Sequence, residues 1–461
     1  MPFPSRPLSR ALLALALLLP LAGTAAAQET LEKVLILKRH GVRAAMSSPE
    51  RLGEFSLRPW PRFAVPAGHL TANGAQLERL FGDYYHALYR QSGLLRGDRG
   101  DCGRAYYWAN RTQRTIASAQ ALAQTLTPGC DARVHHVADG DSDPLFDGPP
   151  ALHTPQAAAL ARAALAGRIG ADAQAWNATQ QDAIDSLQAL LLQCTQRPCP
   201  ADAAPGKRRL DAVPAELSDQ PRGIPGIEGP AATASGLTES LLMAWADGHD
   251  FAALGWQGLD EAMLLRVFAP HQAEFALRLR APDVARMASS HLAARLLATL
   301  LQGTSAATPY PAIGGDAPLV VVSGHDGTLT LLAGLLGLHW QLPGYQPDQT
   351  APGGALVFER WRRADGSRVV RVRYTAQSLA QMRERRVLDL DAPPLSATVF
   401  VPGCGSASER FDCALADFAR TLDRAIDPAY AVAADGDAAR PRAGSADAGH
   451  GDEGRAAIKR P

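Results

Sequence analysis

The sequence predicts an α/β protein whose sheet-forming part is interrupted by a mostly α-helical lobe. Three observations carry that prediction. Short apolar runs of strand length stand near both ends, "KVLILK" (Lys33–Lys38) early and "PLVVV" (Pro318–Val322) late. Between about 151 and 280, apolar residues instead recur at helical spacing with little strand character. Each of the two runs is followed by a polar cluster and then a helical pattern, as expected of strands feeding helices.

In chain order, Lys33–Lys38 reads as a strand buried on both faces, as in a parallel sheet. "TANGAQLERLFGDYYHALYRQ" reads as a helix, with Leu77, Leu80, Phe81, Tyr84 and Leu88 on one face and Thr71 or Asn73 as its cap. "RAYYWA" reads as a second strand, running into a loop and helix over "NRTQRTIASAQALAQTL". That places Arg114 near a helix N-terminus, where free backbone N–H groups favour anions. The segments "TPQAAALARAALAGRIG", "QQDAIDSLQALLLQ", "TASGLTESLLMAWADG" and "LDEAMLLRVFAPHQAEFALRLR" are helix-like and make up an inserted lobe, 151–280. It divides an α/β domain into a first part, 28–150, and a second, 281–430. The second part opens with the helix "PDVARMASSHLAARLLATLLQ", in which His291 reads as a packed or capping histidine. The strand "APLVVV" and the helix-like "TLTLLAGLLGL" follow, then strands at "GALVFERWRR", "SRVVRVRYT" and "SATVFVPG". From about Ala431 small and charged residues dominate, which predicts a disordered tail over 431–461.

A chain of 461 residues exceeds the ~250 to 300 at which single cores stop growing, so two lobes are expected. Arg6 and Arg10 precede the apolar run Ala11–Gly23, and Ala25, Ala26 and Ala27 follow, the pattern of an export signal over 1–27 with a mature start near Gln28. The run is shorter than the ~20 residues that span a bilayer, and no later segment is long and uncharged enough. The mature protein is therefore expected in the periplasm or secreted, without a membrane partner. Six cysteines in an exported chain predict disulfides, and of many possible connectivities the local one is the most economical: Cys102 with Cys130, Cys194 with Cys199, Cys404 with Cys413. A zinc reading of "CTQRPC" lacks a second ligand pair. A calcium reading of "DGDSD", beside His135 and His136, puts Pro144 and Pro150 where an EF-hand wants Gly and an acidic residue, so a plain surface loop is expected. No metal or cofactor is called for. Lys plus Arg and Asp plus Glu balance at 46 each, so no global field draws nucleic acid, and any anion site must be local.

"RHGVR" follows "VLILK" and "SGHDG" follows "PLVVV". In an open α/β sheet, ligands bind at the carboxyl ends of parallel strands. If the two strands are neighbours, Arg39, His40, Arg43, His325 and Asp326 converge, with Arg114 joining from its helix start. Clustered cations repel unless an anion sits among them. Guanidinium forks match phosphate oxygens, so the expected guest is a small-molecule phosphate ester. His40 would be the nucleophile, forming a phosphohistidine, and Asp326 would protonate the leaving alkoxide and later deprotonate water. Neighbouring guanidiniums should keep His40 neutral below its ordinary range, and a bound phosphate dianion should favour protonated Asp326, which together predict an acid pH optimum. Ser323 before "GHD" does not make a serine nucleophile, since the G-x-S-x-G elbow is absent.

"RHGVR" early, "QRT" midway and "GHD" late resemble the histidine acid phosphatases, the branch of the histidine phosphatase superfamily that includes bacterial periplasmic phytases and glucose-1-phosphatases. The resemblance runs from about Leu31 to Ile426 and takes in "DPLF", "PGGALVFERWRR" and all six cysteines, supporting the local disulfide pairing. It implies a phosphoglycerate-mutase-like mixed sheet flanked by helices. It also implies a metal-independent phosphomonoesterase with His40 and Asp326 catalytic, and Arg39, Arg43, Arg114 and His325 on the phosphate. Glu239 in "LTESLL" matches a glutamate that approaches the substrate, the alternative being a solvent-facing helix residue. The chain departs from the pattern at Ala45, where Pro is usual, and at Gly327–Thr328, where Thr-Asn is usual. Ser47 stands where phytases often carry Lys. A catalytically silent phosphate-ester binding protein of the same fold is the alternative these departures leave open.

Overall fold

The computed structural model describes residues 29–218 and 221–433. The predicted leader, and the predicted tail beyond 433, lie outside them. Among the described residues ten strands occur: β1 (Thr30–Arg39), β2 (Ala105–Ala109), β3 (Val134–His135), β4 (Glu216–Leu217), β5 (Ile227–Glu228), β6 (Leu319–Gly324), β7 (Ala355–Arg362), β8 (Arg368–Ala376), β9 (Leu395–Val399) and β10 (Cys413–Ala414). Eight form one mixed sheet in the order β10-β8-β7-β1-β6-β2-β3, with β9 also paired to β8, while β4 and β5 make a separate small hairpin. Strands β1, β6, β2 and β3 run parallel, and β7 runs antiparallel to β1. The first strand thus has a parallel neighbour on one side and an antiparallel one on the other, as in a mixed sheet.

That run is continuous because β1 is covered on both faces. Val34 and Ile36 pack with Phe81, Tyr85 and Leu122 of the helices Ala72–Gln91 and Gln113–Leu126. Leu35 and Leu37 point the other way, into a cluster with Leu292 and Leu296 of the helix Pro282–Leu301 and Leu329 and Leu332 of the helix Asp326–Leu336. Strand side chains alternate between faces, so one four-residue run anchors two layers. Each such side chain buried contributes about 1.5–3 kcal/mol. Of the two candidate caps for the first long helix, Thr71 is the one used: Gly74 N donates to its Oγ1 at 2.8 Å, while Asn73 Nδ2 donates to Ala246 O at 3.1 Å.

Residues 151–280 carry six α-helices together with the β4–β5 hairpin, which helical spacing alone did not anticipate. Their apolar faces do not close on themselves. Ile184, Leu187 and Leu241 belong to the same buried cluster as Leu35 and Leu37. The strands β3 and β10, two residues each, escaped the periodicity, as did the helix Leu415–Ala425 with Leu415, Phe418 and Leu422 buried. The three disulfides are Cys102–Cys130, Cys194–Cys199 and Cys404–Cys413, closing spans of 28, 5 and 9 residues. His291 is buried and its Nδ1 accepts from Val432 N at 3.1 Å.

Candidate active site

Strand register decides where the polar clusters meet. In the parallel pair β1–β6, Arg39 lies opposite Gly324, and in β2–β6, Ala109 lies opposite Ser323. Three chain segments therefore leave the carboxyl ends of three adjacent parallel strands together: His40–Arg43 after β1, His325–Asp326 after β6, and Asn110–Arg114 after β2. Backbone bonds lock the exits, with His40 N donating to Gly324 O and Asn110 N to Ser323 O, both at 2.9 Å.

Arg39 is fully buried. Its Nη1 donates to Thr350 O at 2.7 Å, and its Nη2 meets Glu239 Oε1 at 2.6 Å and Asp326 Oδ2 at 2.9 Å. Arg43 Nη2 meets the other oxygen of Glu239 at 2.8 Å. Glu239, on the helix Pro230–Ala246, thus bridges two guanidiniums and is not a solvent-facing helix residue. Arg114 stands in the first turn of Gln113–Leu126. The Nε atoms of Arg39, Arg43 and Arg114 are all buried without a hydrogen-bond partner. Such orphaned donors are costly unless a ligand engages them.

His40 Nδ1 lies 2.8 Å from Gly41 O. A carbonyl only accepts, so the neutral ring carries its proton on Nδ1 and keeps a lone pair on Nε2. Burial, then the cationic Arg39 and Arg114, hold His40 well below its ordinary 6.5. The His325 ring stands 5.5 Å from that of His40, and its Nε2 lies 3.1 Å from Asn110 Oδ1. Burial, then Arg114, push His325 down to about 3. For Asp326, burial alone would raise the carboxyl, but Arg39, His271 and His325 outweigh it and hold it below the usual carboxylate range. Arg114 is drawn down to about 10 by burial and by Arg43.

All six strand-end candidates, with Glu239, come together here. Three participants were not singled out from the sequence. Asn110 orients His325, and the same strand-end rule would have found it directly after "RAYYWA". Thr350 supplies a carbonyl from a loop without sequence signal. His271 is buried against Ser235, Nδ1 to Oγ 2.9 Å, and in its protonated form it favours ionised Asp326 and Glu239, from inside a helical pattern that reads as core.

The departures from the motif are accommodated. Ala45 is buried in the main core cluster, and Thr328 Oγ1 accepts from His325 N at 3.3 Å. A Cβ at Gly327 would make only ordinary contact with Leu279 Cδ1 at 3.5 Å, so crowding does not account for that glycine. "DGDSD" is not wholly a surface loop: Asp143 is buried, accepts from Trp108 Nε1 at 2.8 Å and caps a short helix through Leu145 N at 3.0 Å. Among the described residues, no three His, Cys, Asp or Glu side chains are grouped as metal ligands, and no helix is long and apolar enough to cross a membrane.

Comparison with known proteins agrees with this architecture. The chain is 32% identical over 439 residues to the phytase AppA of Escherichia coli (strain K12), covering 91% of this chain and 98% of the relative. It is 27% identical over 405 residues to a glucose-1-phosphatase of Salmonella typhimurium, covering 86% and 92%. A solved structure of Hafnia alvei phytase in complex with myo-inositol hexakis sulphate superposes with a TM-score of 0.76 at 30% identity, covering 88% of this chain and all of that one. Residues 30–375 match the histidine phosphatase superfamily (branch 2), and with the fold and relatives above, the chain belongs to that family and is a phosphoric monoester hydrolase of the acid phosphatase, phytase and glucose-1-phosphatase type.

Proposed function

We propose that the protein hydrolyses small phosphate monoesters, of the phytate or sugar-phosphate class, through a phosphohistidine on His40. One observation carries this reading: Nδ1 of His40 is tied to the Gly41 carbonyl, which leaves the Nε2 lone pair free beside three guanidiniums with unpaired donors. In the first step Nε2 attacks phosphorus, the P–O bond to the leaving group breaks, and Asp326 gives its proton to the departing alkoxide. In the second, Asp326 takes a proton from water as the oxygen attacks phosphorus and the P–N bond breaks. Arg39, Arg43, Arg114 and His325 bind the phosphoryl oxygens, and the charge of the three guanidiniums is worth most as the transfer proceeds.

Asp326 must enter the first step protonated, although Arg39 favours its ionised form in the free site. A bound phosphate draws on Arg39 and adds negative charge nearby, and both effects shift Asp326 toward the acid form. The substrate thus readies its own proton donor. Export to the periplasm fits the three disulfides and the leader-like start of the sequence. The similarity to a phytase and a glucose-1-phosphatase supports the two substrate classes.

The test is phosphate release by the mature protein, without added metal, from phytate, glucose 1-phosphate and an aryl phosphate between about pH 3 and 8. Turnover should be lost in His40→Ala. Because His40 stays neutral far below its ordinary range, kcat/KM should show no acid limb near 6.5. A limb there, or an active His40→Ala, would sink the assignment of the nucleophile.

A further inference from the structure

Directly behind His40 lies a charged pair with no part in the chemistry above. Lys38 precedes Arg39 on β1 and Glu78 projects from the helix Ala72–Gln91; each side chain is 1% exposed, and Nζ stands 3.1 Å from Glu78 Oε2 and 4.1 Å from the centre of the Phe81 ring. Stability alone does not call for such a pair, since apolar residues of similar volume usually do as well in a core. What distinguishes it is what it touches. Lys38 Nζ donates to Gly353 O, and Gly353 N donates to His40 O at 2.9 Å. The remaining oxygen of Glu78 rests against the backbone at two places: a Cβ on Gly41 would lie 2.9 Å from Oε1, and one on Gly353 would lie 3.1 Å from it. Gly41 is the residue whose carbonyl holds His40 Nδ1. Gly353 has φ +68, a conformation that also suits it to glycine.

We infer that the buried Lys38–Glu78 pair is a positioning device for the nucleophile, clamping Gly353 through Nζ and bracing Gly41 through the carboxylate. Neither side chain touches substrate; both act through the backbone that fixes the His40 ring. The inference rests on the proposed role of His40.

The experiment compares wild type, Lys38→Met, the double variant Lys38→Met/Glu78→Leu, and His40→Ala as a control for the underlying reading. Lys38→Met leaves Glu78 buried without its partner and can fail to fold, so the double variant, which removes both charges and keeps a filled core, is decisive. Its melting temperature should stay close to wild type. Its kcat should fall roughly 10- to 100-fold, the scale of a reacting group displaced by a fraction of an ångström to an ångström. KM and competitive inhibition by inorganic phosphate should stay within about twofold, because the arginines are untouched. A folded double variant with wild-type kcat overturns the inference, and so does a loss of kcat that merely tracks the fraction of unfolded protein. Turnover surviving in His40→Ala defeats the nucleophile assignment instead. In that case a histidine nitrogen spectrum, reporting whether His40 still carries its proton on Nδ1 in the double variant, decides the positioning claim without reference to turnover: a retained tautomer overturns it and a mixed one supports it.

Discussion

Glu239 sits where the two buried arginines would otherwise face an incoming anion. Its carboxylate takes one donor from Arg39 and one from Arg43, and those cations hold it ionised against the effect of burial. A phosphate entering the same cradle must displace it. Glu239→Gln keeps the shape and removes the competing charge, so inorganic phosphate should inhibit more tightly by about 1.5 kcal/mol, roughly tenfold. Competitive inhibition constants check this, and weaker inhibition would mean that Glu239 assists the anion. At this scale the sequence was informative where chemistry follows a strand. Arg39, His40, Arg43, His325 and Asp326 stand in clusters that are costly unless they serve an anion, and Arg114 opens a helix. Glu239 and His271 were harder, because a charged or titratable residue inside a helical pattern looks the same whether it faces solvent or a buried guanidinium. The Thr350 carbonyl carries no side-chain signal at all.

The elements that position these side chains were legible to the extent that their own periodicity produced them. β1, β6 and β2 show as apolar or aromatic runs because they lie at or near the middle of the sheet, whereas β3 and β10 are two-residue strands held by their neighbours and have no pattern of their own. The junction of β6 with the helix Asp326–Leu336 matters most, since it aims His325 and Asp326 together. His325 is the N-cap residue, and the hydroxyl of Thr328, three positions on, accepts from its backbone N–H. Thr328→Ala should therefore cost about 1 kcal/mol of stability, as other caps do. It should also raise KM by freeing His325, while Thr328→Ser recovers both. Thermal unfolding of the two variants side by side checks this. Equal stability would show that the junction is held by packing alone and that the hydroxyl is incidental.

For the whole molecule, one buried cluster joins the sheet to the helices between 151 and 280, so the interruption visible in the sequence is not an interruption of the core. Burial on that scale traps titratable groups of opposite tendency, and their balance sets how the fold responds to acid. His40, His135, His271 and His325 are all lowered from 6.5, in each case chiefly by burial. Their contribution to stability is present above 6.5 and is lost as the pH falls, because the unfolded chain takes up protons that the folded chain refuses. Burial acts the other way on carboxyls: Glu78 is pushed up to about 7, Asp143 to about 6, and Asp83 in the same direction. These become protonated in the folded state first, so between about 6.5 and 4.5 they gain stability on acidification and oppose the histidines. Below about 4.5 that opposition ends, since the unfolded carboxyls are protonating too. There the histidines continue to cost stability, and Asp326, Glu239 and Glu32, all held down by arginines, begin to lose theirs. The melting temperature should therefore be nearly flat from about pH 6.5 to 4.5 and fall steeply below. Inorganic phosphate should raise it most in the acid range, by engaging the arginines as their carboxylate partners protonate. Calorimetric scans across this range, with and without phosphate, check the balance, and a steady decline beginning at 6.5 would mean that the buried histidines outweigh the raised carboxyls.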